Sequence, residues 1–312
     1  MLAVIIGIIA GIASTVQASV NTEARKVIRS PFITAGINFT VAWLCLAAFI
    51  IFTEHRFYIP LQAAAQYPPW IWLGGVCAII IVTLNIVCLP KLGAAGNVMI
   101  LNFGQIMTGL VIDHFALFGS EETRMTWMRL AGAVLVLIGL VLVTNEKAPE
   151  GSGRRGVPLF YAALAFADGV ACSTQIAVNG TLRTVIGSVS KATIISMSVA
   201  FISTLTVITV LTLVKGRNGI FDEPSEENAN MKLKPWMLSG GLFALTVVSG
   251  NAAAAPVIGT GLATIMNLIG MMAAGLVIDA TGFLGIEKKP VTFRKIAGML
   301  LMLAGTAVIS FL

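Results

Sequence analysis

The sequence predicts an all-α integral membrane protein of ten transmembrane helices, arranged as two inverted five-helix repeats. Three observations carry this prediction. Of the 312 residues, 57% are hydrophobic and 11% are charged, with a mean hydropathy of +0.93. A soluble domain carries about 25% charged residues, so long apolar runs at this charge density indicate a polytopic membrane protein. Second, the chain is written twice. Gly109-Leu110-Val111-Ile112-Asp113, closed by Gly119, returns as Gly275-Leu276-Val277-Ile278-Asp279, closed by Gly285. The same offset maps Trp70 to Trp236, Gly74-Gly75 to Gly240-Gly241, Asn85 to Asn251, Pro90 to Pro256 and Gly139 to Gly305. Third, each copy holds five apolar segments. An odd number inserts the second copy upside down, a recurrent plan of secondary transporters.

In chain order the spans are expected near 2–22, 33–53, 69–89, 96–113, 126–144, 158–178, 192–214, 236–255, 260–279 and 294–312. About 17–25 residues suit a hydrocarbon core of roughly 30 Å. Only helices and closed barrels satisfy their own backbone groups in lipid, and these runs lack the period-two alternation of barrel strands. No basic stretch precedes the first segment, so it is expected to be a retained span. Residues 1–147 form the first repeat, 148–157 a Gly-rich linker and 158–312 the second repeat. The starts of the halves repeat at a shorter offset: Gly11, Gln17, Asn21 and Arg25 return as Gly169, Gln175, Asn179 and Arg183. The difference is an insertion between Lys215 and Pro235, rich in Asp, Glu and Asn and read as an exposed loop.

Charge sets the orientation. Fifteen of the 20 Lys and Arg fall in loops after spans one, three, five, seven and nine, so that side is expected to be cytoplasmic and both termini outside. The net charge of +6 is spread over these short loops. This suits anionic lipid headgroups and excludes a nucleic-acid-binding face. Cys45, Cys77, Cys88 and Cys172 lie inside apolar runs without metal-ligand spacing. No metal or cofactor is expected. Neither an HExxH, a GxSxG nor a P-loop motif occurs, so the chain is read as no enzyme and no ATP-driven pump.

Polar residues within the spans are the candidate site. On the first helix Gly7, Gly11, Ser14, Gln17 and Asn21 share one face, matched on the sixth by Ala165, Gly169, Cys172, Gln175 and Asn179. The fourth helix places Asn102, Gly104 and Gln105 near its centre, and the ninth Asn267, Gly270 and Met271. Ser14, Gln17, Asn102, Gln105, Gln175 and Asn267 are therefore expected to contact substrate. Helix packing competes for the glycines. Asn85 and Asn251 precede Pro90 and Pro256 by about one turn and serve either the helix break or the ligand. The span centres are read as uncharged, with Asp113 and Asp279 at helix ends. Arg25 is placed level with Asp279, and Arg183 with Asp113, each pair joining opposite halves and expected to close when its own rim closes. His55 and His114 are read as solvated. Gly132 and Gly139, and likewise Gly298 and Gly305, give the fifth helices a small face for close packing within the chain or in a homodimer.

The Gly-x3-Gly-x5-Gln-x3-Asn first helix and the Pro-x2-Gly … Gly-Leu-Val-Ile-Asp fourth helix resemble the drug/metabolite transporter superfamily, in particular its YdcZ-like branch in the fused five-plus-five form. The resemblance implies an inner-membrane location, a central cavity within the first four helices of each half, and peripheral fifth helices. The related small multidrug exporters carry a Glu in their first helix. Here Ser14, Thr15 and Gln17 occupy that region. The expected function is secondary transport of a small neutral or zwitterionic polar metabolite by alternating access. A non-transporting membrane sensor or assembly protein and a proton-coupled exporter of drug-like compounds are the alternatives.

Overall fold

Every expected span is a helix. The structure, a computed structural model, describes residues 2–54, 61–120, 122–144, 158–222, 231–258 and 260–311. The long helices are α1 (Leu2–Ile28), α2 (Pro31–Glu54), α3 (Leu73–Leu92), α4 (Ala94–His114), α5 (Trp127–Thr144), α6 (Leu159–Ile186), α7 (Val189–Lys215), α8 (Gly240–Ile258), α9 (Thr260–Thr281) and α10 (Phe293–Phe311). Among the described residues, seven helices are long and apolar enough to cross a membrane, and three shorter apolar stretches lie in α5, α8 and α9. The expected linker 148–157, His55 and the side chain of Asn251 lie outside the described residues.

Some helices outrun their apolar segments. α1 continues past the expected end at 22 because its polar turn Asn21–Ala24 is buried against neighbouring helices. α3 and α8 start later than expected, each behind a 3-10 turn, Pro69–Trp72 and Pro235–Leu238. Proline suits the first helical position, where its fixed φ is pre-set and its missing N–H costs nothing.

The repeat is visible as backbone geometry. After α4 the chain turns through positive φ at Ala116, Phe118 and Gly119 (50°, 57° and 76°); after α9 it does so at Gly282, Leu284 and Gly285 (70°, 59° and 74°). Each turn is fastened alike: Thr123 N–H donates to the Asp113 carbonyl at 2.8 Å, and Lys289 N–H to the Asp279 carbonyl at 2.8 Å.

The halves interlock. α1 packs on α8 and α9 of the second half, and α6 on α3 and α4 of the first. One apolar core joins α4, α5, α9 and α10 through Met99, Val136, Leu268 and Met302. Another joins α2, α3, α7 and α8 through Phe39, Ile86, Met197 and Ala244. The fifth helices, α5 and α10, lie on each other. A Cβ at Gly132 would stand 2.6 Å from the Gly305 carbonyl oxygen, and one at Gly139 would stand 2.5 Å from that of Gly298. Their small faces are thus used inside the chain.

Candidate functional site

The helices that cross between halves carry the amides. Two glycine crossings bring their backbones together. Gly11 of α1 lies on the Asn267 carbonyl, and Gly270 of α9 lies on that of Ile8. At the repeat-related crossing, Gly169 of α6 lies against Leu101 and Gln105, and Gly104 of α4 against Phe166. A side chain at any of the four would push the helices apart. Gln105 and Asn267 therefore sit at the crossings themselves. Both are half-buried, as is Ser14.

Gln17 and Gln175 fall into two clusters that the repeat relates. In one, Gln17 and Asn21 donate from their amides to Asn38 Oδ1 of α2, at 3.4 and 3.3 Å. Asn21 also faces Gly240, where no side chain would fit. In the other, Gln175 donates to the Gly74 carbonyl at 3.0 Å and Asn179 faces Gly74. The repeat mate of Asn38 is Ser196. Asn38 Nδ2, Asn179 Oδ1 and Ser196 Oγ are buried and make no hydrogen bond. Asn102 is 0% exposed, and neither atom of its amide is hydrogen-bonded.

The expectation of uncharged span centres is wrong. Asp168 lies in the middle of the sixth span and is 0% exposed. Asn85 Nδ2 of α3 donates to its Oδ2 at 2.5 Å, and the Cys172 thiol to its Oδ1 at 3.7 Å. Asn97 of α4 donates in turn to Asn85 Oδ1 at 2.7 Å, which leaves Asn97 Oδ1 buried and unbonded. Asn85 also reaches the Ile81 carbonyl of its own helix at 3.1 Å. Asp168 is visible in the sequence but not through the repeat, because its mate is Ala10. The mate of Asn97 is Ala263, so neither polar side chain that Asn85 meets is repeated in the sequence.

At the rims the expected pairs are made with other partners. Arg25 binds Asp222 of the insertion, Nε to Oδ2 at 2.7 Å, and donates to the Ile86 carbonyl at 3.3 Å. Asp279 is 0% exposed and accepts from the first two amides of α4, Ala94 at 2.8 Å and Ala95 at 3.3 Å. It also lies 3.7 Å from Lys295 of α10. A carboxylate at a helix N-terminus meets unpaired N–H groups and the positive end of the dipole. Backbone therefore takes the place expected for Arg25. Asp113 lies 3.8 Å from Arg129, the repeat mate of Lys295, and its side chain is 45% exposed. Each acid so meets the base opening the next helix of its own half, and Arg183 is not the partner of Asp113 here. The turns after α4 and α9 also rest on the crossing helices. Thr181 donates to the Phe118 carbonyl at 2.6 Å, and Lys26, paired with the buried Glu23, donates to that of Gly285 at 3.2 Å.

Comparison with known proteins agrees with this architecture. A solved structure described as "Crystal structure of protein" is similar, with a TM-score of 0.58 at 13% identity over 98% of this chain and 95% of that one; at this identity it shows the fold alone. No curated protein matches the chain. The family model described as "Putative inner membrane exporter, YdcZ" matches residues 2–142 and 160–308, one segment for each half. With both halves matched, the chain belongs to the YdcZ family of inner-membrane transport proteins, the branch its first and fourth helices resemble.

Proposed function

We propose that the chain is a secondary transporter that moves a small polar solute by alternating access, along the seam where α1 and α6 cross α9 and α4. The observation that supports this most is Asn102, fully buried in α4 with both amide atoms unbonded. Leaving such a group unpaired costs about 1–3 kcal/mol, a cost removed if a solute or a second conformation supplies the partner. The interlocked inverted halves are the scaffold on which such sites form between repeats. Amides and hydroxyls dominate the seam, which suits a neutral or zwitterionic cargo. The basic end faces the cytoplasm, both termini lie outside, and export is the direction in keeping with the family's description. The contrast between Asp279, sealed at that end, and the half-exposed Asp113 supports a conformation closed at the basic rim. Asp168 favours a second reading within the same class, in which a proton gradient drives the export.

A metabolite-library melting screen in detergent tests this, because a ligand at a hundredfold excess over its Kd stabilises by about 2.7 kcal/mol. Gln105→Leu and Asn267→Leu are expected to abolish stabilisation by any hit while the unliganded variants stay folded. Uptake of that hit into liposomes separates a transporter from a membrane sensor. Stabilisation retained in both variants would place the site elsewhere.

A further inference from the structure

Asp168 stands apart from the rest of the polar seam. Its two hydrogen-bond partners are neutral, the Asn85 amide and the Cys172 thiol. An isolated carboxylate charge in low dielectric is far more costly than a neutral acid with the same partners. The groups that face it are few. Its own helix brings Cys172, and α3 brings Cys88 and Asn85, with Cys77 beyond Cys172. Next to these on α4 are Asn97 and Gly104, and the ionisable groups of α4, Asp113 and His114, lie at its far end. The lysines of α7, Lys191 and Lys215, also sit at helix ends. Among the described residues no cation is among the groups acting on Asp168; Lys91 sits in the last turn of α3, over the Tyr161 ring of α6.

We propose that Asp168 is the site at which this transporter binds and releases its coupling proton, with Asn85 and Asn97 positioning the carboxyl. The ligand is a proton and not a metal ion, because the partners aim N–H and S–H groups at the carboxylate, whereas a hard cation needs several oxygen ligands. The step is a simple exchange: Asp168 takes a proton from water on one side of the membrane, becoming a neutral carboxylic acid, and returns it to water on the other. Asn85 follows either form, since its amide can donate to the carboxylate or, turned over, accept from the acid. The chain Asp168–Asn85–Asn97 links α6 of one half to α3 and α4 of the other. Opening that seam therefore breaks the carboxyl's hydrogen bond to Asn85 and wets it in the same motion. The coupling role rests on the transport reading; proton binding itself does not.

Infrared difference spectroscopy on the purified protein tests proton binding without a solute. The expected result is a carboxylic-acid C=O band that shifts in deuterated water, fades as the pH is raised and is absent from Asp168→Asn. Asp168→Ala, the residue of the equivalent slot at position 10, is the second deletion should the amide fail to fold. Asn85→Ala keeps the acid and is expected to move the band by removing its hydrogen bond. A spectrum without a band attributable to Asp168 at any pH overturns the proposal. So does a band that persists unchanged until the protein unfolds. Coupling is read in liposomes with a solute from the melting screen: an imposed pH gradient is expected to drive its accumulation by wild type, with Asp168→Asn only equilibrating it. Gradient-independent transport by wild type overturns the coupling role while leaving transport intact. A titrating band with no solute transported leaves the proton site standing and counts against transport.

Discussion

Arg25 answers the question that Pro90 raises. Proline in a helix leaves the carbonyl four residues earlier without its N–H, and the carbonyl of Ile86 is where one Arg25 nitrogen donates, at 3.3 Å. A second nitrogen holds Asp222. One planar fork thus serves two acceptors, a task for which the single ammonium of lysine is poorly shaped. Arg25→Lys is expected to lower stability by about 1 kcal/mol, read as a melting shift in detergent. Asp222→Asn is expected to cost less, within about 1 kcal/mol, because that pair is partly exposed. High salt should erase the Asp222 effect and spare the carbonyl; unchanged melting of Arg25→Lys at both salts would refute the dual role. Asn85, which the sequence left divided between the break and a ligand, does not serve the Ile86 carbonyl and donates to Asp168 and the Ile81 carbonyl. Charge and level along the bundle suggested Arg25 with Asp279, but no side-chain pattern displays the amides of Ala94 and Ala95 that Asp279 accepts from. A search by repetition finds what the halves share and passes over Asp168, which only one of them has.

Helix against helix, the small faces of α5 and α10 decide how the bundle is braced. Their seven-residue glycine spacing was legible as one packing face, while the choice between an internal neighbour and a second copy was not, since both present the same surface. In the structure the neighbour is internal, and the atom facing Gly132 is a backbone oxygen, which cannot swing aside as a side chain can. Gly132→Leu and Gly298→Leu are each expected to destabilise by about 1–3 kcal/mol through overpacking, seen as lower melting temperatures. Gly180 provides the contrast. Among the described residues a Cβ there meets nothing within 4 Å, so Gly180→Ala is expected to leave melting unchanged or raise stability by up to about 1 kcal/mol through helix propensity. Equal behaviour of the three variants would reject the brace. Helix ends were less legible than helix existence. Hydropathy stops at the last apolar residue, whereas α1 runs on to Ile28 on the strength of buried polar contacts.

For the whole molecule, the count of five spans per half carried both the number and the inversion, and it yields a sharp expectation. Single cysteines near Arg154 and Glu226 should label from the cytoplasm, and one near Ser120 from outside; labelling of Arg154 and Ser120 positions from one side would break the inversion. The inverted plan also has an energetic corollary. Were the halves identical, the conformation open to one side and the conformation open to the other would be related by the pseudo-two-fold axis and equal in free energy. The chain answers Asp168 with Ala10, and the insertion that carries Asp222 is found in one half only. These unrepeated residues lift the degeneracy. On the proposed alternating-access cycle the resting protein leans towards one facing state with neither solute nor gradient present, and the proposed proton site, at one of two equivalent slots, would limit each cycle to a single proton there. Cysteine accessibility from the two faces of wild type should be unequal at rest, and Asp168→Ala, which restores the symmetry of that slot, should bring the two closer together.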